Sequence, residues 1–233
     1  MGKVLDILRQ EEASLGREEA ESGEVDGDLE VDGHCLRSFY ASVTGPYADL
    51  IPDRLKNVHD AVVIHVRILG VRKRGGIRTW IRVAPFRPVA PGARPPPECT
   101  EEIVTSSILS YVKPGSSATY ADGAKAWPTA AKQIGLRIKT VQVAHSRMEF
   151  TRKVPFFKTG HSTQGGTMSI DSKWTAFERL IPSTVHTKKG GVVIERLYTY
   201  LYAAVYRLNH KGEDGFKLVG AQVASRMAED TLG

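Results

Sequence analysis

The sequence predicts an α/β fold: a mixed five-stranded sheet, three antiparallel strands plus two parallel, with helices on both faces. Three observations carry that expectation. Residues 61–83 alternate apolar and polar on either side of an Arg72-Lys73-Arg74-Gly75-Gly76 turn, the pattern of a hairpin. Ser117 to Trp127 reads as a strand, one acid and a helix start, and Leu136 to Val143 as a further strand, the alternation that builds parallel pairs. Ile170, Trp174, Phe177 and Ile181 recur at i, i+4, i+7 and i+11, the apolar stripe of a helix over 169–181.

Each remaining element follows in chain order. Val4, Leu5 and Leu8 precede a Glu-rich run, which predicts a short amphipathic helix within 3–20. Residues 21–28 are polar and Gly-bearing, a linker. Residues 29–40 form the first strand, whose alternation puts Glu30, Asp32 and His34 on one face and Leu29, Val31 and Cys35 on the other. Six prolines in 85–97 make an irregular connection. Ile103, Ile108, Leu109 and Val112 predict one helix over 98–112. Residues 144–167 read as an inserted loop. A last helix over 192–208 carries Leu197, Leu201 and Val205 beside Tyr198, Tyr202 and Tyr206, an aromatic stripe expected to pack in a core. On composition the chain divides into an acidic arm, partly helical or disordered, over 1–28, a basic body over 29–209 and a tail over 210–233.

No apolar run approaches the roughly 20 residues of a membrane span. The N-terminal apolar run is too short for a signal peptide, and acids follow it. Cys35 and Cys99 form no CxxC pair, so neither a disulfide framework nor a structural zinc site is expected. An intracellular home is expected, the cytoplasm in a prokaryote or the nucleus in a eukaryote. Residues 1–32 hold 11 acids against 3 bases, a balance of −8; with the whole chain at +6, the remainder carries +14. A basic body points to a polyanionic partner, nucleic acid first, or else to a merely solvated basic surface. Arg72, Lys73, Arg74 and Arg78 around Trp80 suit phosphate contacts with stacking, or else a charged turn that resists edge pairing.

Three acids stand in positions a carboxylate site uses. Asp32 is central on the first strand. Asp122 ends a strand, where open α/β sheets place ligands, although a turn or helix-cap role is the simpler alternative. Asp171 lies in the first turn of its helix, where an acid also complements the helix dipole. Converging carboxylates repel unless a cation separates them, and hard oxygen ligands select Mg2+ or Mn2+.

The ordered set is similar to a known family. Glu30-Val31-Asp32, Ser117 to Trp127, Val141-Gln142-Val143-Ala144-His145, Ser169-Ile170-Asp171-Ser172-Lys173-Trp174 and Leu197 through Asn209 resemble the catalytic domain of the ISXO-type insertion-sequence transposases. These belong to the DDE superfamily and have a ribonuclease-H-like fold. The resemblance implies a DNA transposase that cuts and rejoins strands in DNA transposition and recombination. Asp32, Asp122 and Asp171 would be its catalytic, metal-binding residues, with two magnesium ions. DNA is the implied partner, with self-association on the DNA ends and no membrane. His145, His161, Arg72, Arg74 and Lys173 are further phosphate-contact candidates. Several features depart from the family: Asp171 stands where Glu is usual, Met168 where Asn is common and Gly33 where a Glu often follows the first acid, and an acidic arm stands where the family has a zinc ribbon or other DNA-binding module. The alternative is a catalytically inactive DNA-binding protein derived from such an enzyme.

Overall fold

The computed structural model describes residues 2–114, 118–122, 125–136, 140–143, 152–155, 162–165, 167–183, 193–212 and 219–221. The chain divides into two compact units, Gly23–Trp174 on one side and Met1–Ser22 with Thr175–Gly233 on the other. Composition draws lines at 28 and 209; packing draws them at 22 and 174.

The first unit holds a mixed sheet with helices. Its strands are β1 (Asp28–Ser42), β2 (Ala61–Lys73), β3 (Thr79–Val83), β4 (Ala118–Asp122) and β5 (Thr140–Val143), in the order β3-β2-β1-β4-β5. β1 and β2 run antiparallel, as do β2 and β3, whereas β1, β4 and β5 run parallel. β1 is therefore an interior strand, paired on both sides. Its register against β2 shifts between Cys35 and Arg37, which makes Leu36 the extra residue of a β-bulge.

Alternation along β1 and β2 gives the sheet two unlike faces. One carries Leu29, Val31, Leu69 and Val71, buried with Ile103, Ile108, Leu109, Trp127 and Ala130 in a single apolar cluster. The covering elements are α3 (Thr100–Thr105), a 3-10 turn (Ile108–Tyr111) and α4 (Ala126–Gln133). A smaller helix, α2 (Asp53–Lys56), lies between β1 and β2. The opposite face presents Glu30, Asp32, Gly70 and Arg72, and the first two turns of α5 (Met168–Leu180) meet it.

Residues 98–112 do not form one helix. Ser107 adopts φ 58, and Ser106 Oγ donates to the Ile103 carbonyl while accepting from the Ile108 N–H. That local pairing competes with helix continuation. The 144–167 stretch contains a two-stranded ribbon, β6 (Arg152–Pro155) with β7 (Ser162–Gly165), too short to show a periodicity in sequence. Beneath the Pro-rich connection, Arg67 and Glu102 form a buried ion pair, Nη1 to Oε2 at 2.8 Å. Arg67 also donates to the Pro96 carbonyl, and Glu102 Oε2 accepts from the Cys99 N–H that opens α3. Both cysteines are free.

The second unit pairs α1 (Gly2–Glu21) with α6 (Val193–Asn209). The N-terminal acids are therefore not a loose arm. Glu12 binds Arg207 at 2.6 Å, Glu19 binds Asn209 and His210, and Glu21 accepts from the Tyr202 hydroxyl at 2.9 Å. Gly16 sits where a β-carbon would collide with the Tyr202 carbonyl, so the helices approach closely there. Leu15, Tyr206 and Val219 pack in one apolar cluster of this unit, where Leu197, Leu201, Val205 and Tyr202 are also buried, while Tyr198 of the predicted stripe is half-buried. Among the described residues no helix is long and apolar enough to cross a membrane.

Candidate functional site

Backbone register places two of the three acids side by side. β1 and β4 pair in parallel with a constant offset: Leu29 with Thr119, Glu30 with Tyr120, Val31 with Ala121. The next residues on each strand are Asp32 and Asp122, and neighbouring strands lie about 4.8 Å apart. Asp122 closes β4 opposite Val143 of β5, so it stands at the carboxyl end of the parallel strands. Its side chain lies outside the described residues, as do His145 and His161 entirely.

Asp32 is only 7% exposed. Its Oδ2 accepts a hydrogen bond from the Trp174 indole Nε1 at 2.6 Å. The indole reaches it because Asp32 pairs across β1 and β2 with Gly70. A β-carbon at Gly70 would come within 2.5 Å of the Trp174 ring and 3.1 Å of Ile170. His34 stacks on the same indole, with centroids 5.8 Å apart and planes inclined by 10°. Trp174 lies three residues beyond Asp171, so the bond that fixes the indole also ties the helix bearing the third acid to the strand bearing the first. Asp171 is half-buried, and Thr167 Oγ1 donates to its Oδ2 at 3.2 Å.

Sequence reasoning gave Glu30 no role, yet it is the most deeply buried acid of this face, 1% exposed. Its Oε1 accepts from Arg74 Nε at 3.0 Å and its Oε2 from the Ile170 N–H at 2.8 Å. Burial raises its pKa above the ordinary carboxylate value, against the opposing pull of the Ile170 amide and Arg74. The signal was present: Glu30 shares a strand face with Asp32, and a mid-strand acid on a covered face requires a partner.

The basic turn is bound into the fold. Arg72 donates to the Gly76 carbonyl at 2.7 Å and to the Ser169 carbonyl at 3.0 Å. Burial lowers its pKa, while Glu30 opposes that shift. Arg74 lies over the Tyr120 ring, 4.6 Å from its centroid, and Arg78 over Trp80 at 4.7 Å. Lys73 reaches Asp26 at 3.3 Å. Lys173 is half-buried on α5. Of the predicted phosphate contacts, Arg72 and Arg74 thus border the acids, and both hold structural bonds.

Carboxylate oxygens are the right donors for Mg2+ or Mn2+. Among the described residues no group of three His, Cys, Asp or Glu side chains is close enough to hold a metal ion. A set containing Asp122 falls outside that statement, because its carboxylate is not described. Comparison with protein-family models, with curated proteins and with solved structures finds no match to this chain.

Proposed function

We propose that the chain is a ribonuclease-H-like domain of the transposase type that cleaves and transfers DNA strands with divalent cations. The observation that supports this most is the β1–β4 register, whose last pair, Val31 with Ala121, immediately precedes Asp32 and Asp122 on their strands. The strand order, with antiparallel β3-β2-β1 joined to parallel β4 and β5, agrees with that fold. Asp32, Asp122 and Asp171 are the residues that would hold Mg2+ or Mn2+. Such ions, when bound, stabilise the attacking and leaving oxygens of a phosphodiester displacement.

The chain's own contribution is orientation. The indole of Trp174 aims the Asp32 carboxylate, and Thr167 aims that of Asp171, as outer hydrogen bonds orient metal ligands. Arg72 and Arg74 bring positive charge to the same sheet face, where a DNA backbone would approach. The test is Mg2+-dependent nicking of DNA carrying the sequences that flank the gene. Asp32→Asn and Asp122→Asn should each lower the rate at least about 100-fold, the scale on which a displaced catalytic group acts. Nicking that survives both substitutions overturns the assignment.

A second reading, DNA binding without chemistry, draws on the burial of Asp32 under Trp174, which gives that acid a structural partner. It expects DNA affinity that falls steeply with salt and does not respond to Mg2+.

A further inference from the structure

We propose that Glu30 is a positioning residue that sets the third acid against the strand acids by capping α5 from the sheet. The proposal rests on the transposase-type reading above. The first four N–H groups of a helix have no partner within it. α5 begins at Met168, so the Ile170 N–H is one of these. Beside this end of the helix, the Thr167 hydroxyl donates to Asp171. Glu30, 140 residues upstream, supplies the acceptor at 2.8 Å.

The same carboxylate is held from the other side by Arg74 at 3.0 Å, and Arg74 in turn rests on Tyr120 of β4, two residues before Asp122. Arg72 adds a second tie to the opening turn of α5, through the Ser169 carbonyl. Glu30 and Asp32 point to one face of β1. One strand thus presents the first acid and, two residues earlier, the group that fixes the helix carrying the third. Because Asp171 reaches one methylene less far than a Glu there would, the position of its helix matters more, and an error of about 1 Å in placing a catalytic group costs on the order of 100-fold in rate. Glu30 itself touches no reacting atom in this scheme.

Two measurements on Glu30→Ala test the proposal. In metal-free protein, amide exchange at Ile170 should speed up at least about tenfold, because the acceptor that Glu30 supplies is gone. In Mg2+-dependent nicking, kcat should fall about 100-fold while KM for DNA stays within about threefold. Glu30→Gln retains one accepting oxygen and should lose kcat by roughly tenfold. Wild-type protein that fails to nick overturns the transposase-type reading, and this proposal with it. An active wild type that Glu30→Ala matches in kcat overturns the proposal alone, as does a lower kcat with Ile170 exchange unchanged. If Glu30→Ala does not fold, Glu30→Gln decides by rate: a roughly tenfold lower kcat supports the proposal, and wild-type kcat overturns it.

Discussion

Replacing Trp174 by Phe removes the donor that binds Asp32 and leaves the carboxylate in place. The two side chains are 4% and 7% exposed, so solvent offers the stranded oxygen little compensation. A hydrogen bond to an ionised acceptor contributes about 1.5–3 kcal/mol. Exchanging the indole for a phenyl ring in a buried site forfeits roughly another 2 kcal/mol of apolar contact. The variant should therefore be destabilised by about 3–5 kcal/mol, read as a lower midpoint in urea unfolding followed by far-UV circular dichroism. A double-mutant cycle with Asp32→Ala separates the two contributions, because ring packing cancels and only the pairwise energy remains. A coupling of about 1.5–3 kcal/mol is expected. Coupling below about 0.5 kcal/mol would show that the indole does not bind Asp32 in solution, and would leave Glu30 to tie α5 to β1 without it.

Two further outcomes follow from groups away from that face. Glu102→Ala should cost about 3–5 kcal/mol, because it strands the Arg67 guanidinium, 8% exposed, without its carboxylate. Changing Arg67→Met and Glu102→Leu together should recover at least half of that loss in the same urea experiment. In the helical unit, burial and then the Glu21 carboxylate push the Tyr202 pKa up to about 12. The unfolded phenol ionises near 10, so stability contributed by the neutral hydroxyl is complete below pH 10 and drains away up to pH 12. About 3 kcal/mol should vanish across that window, and Tyr202→Phe should flatten the alkaline limb of the stability curve; an unchanged limb would refute the shift.

The sheet was legible where periodicity was long. Thirteen residues of β2 and the opposing β3 announced themselves by alternation, and α5 by its four-residue stripe. The acids at 32 and 122 were legible as strand residues, and their common offset of pairing follows from parallel neighbours. What escaped was pairing across long separations. Glu12, Glu19 and Glu21 read only as part of an acidic arm because their partners, Arg207, His210 with Asn209, and Tyr202, lie more than 180 residues downstream. A separation of 140 residues likewise hid the bond from Glu30 to the start of α5. The break at Ser107 escaped for the opposite reason: it is decided by two serine hydroxyl bonds inside an otherwise convincing apolar stripe.

The helical pair draws one member from each side of the sheet-bearing segment. A nascent chain makes α1 before the Gly23–Trp174 segment and α6 only after it. Until then the Leu15 side of α1 has nothing to close against, and a helix of 20 residues is barely stable in isolation. The sheet can mature on the ribosome while α1 waits, so its sequestration comes only once α6 has been made. Chaperone capture and proteolytic attack should concentrate on that interval.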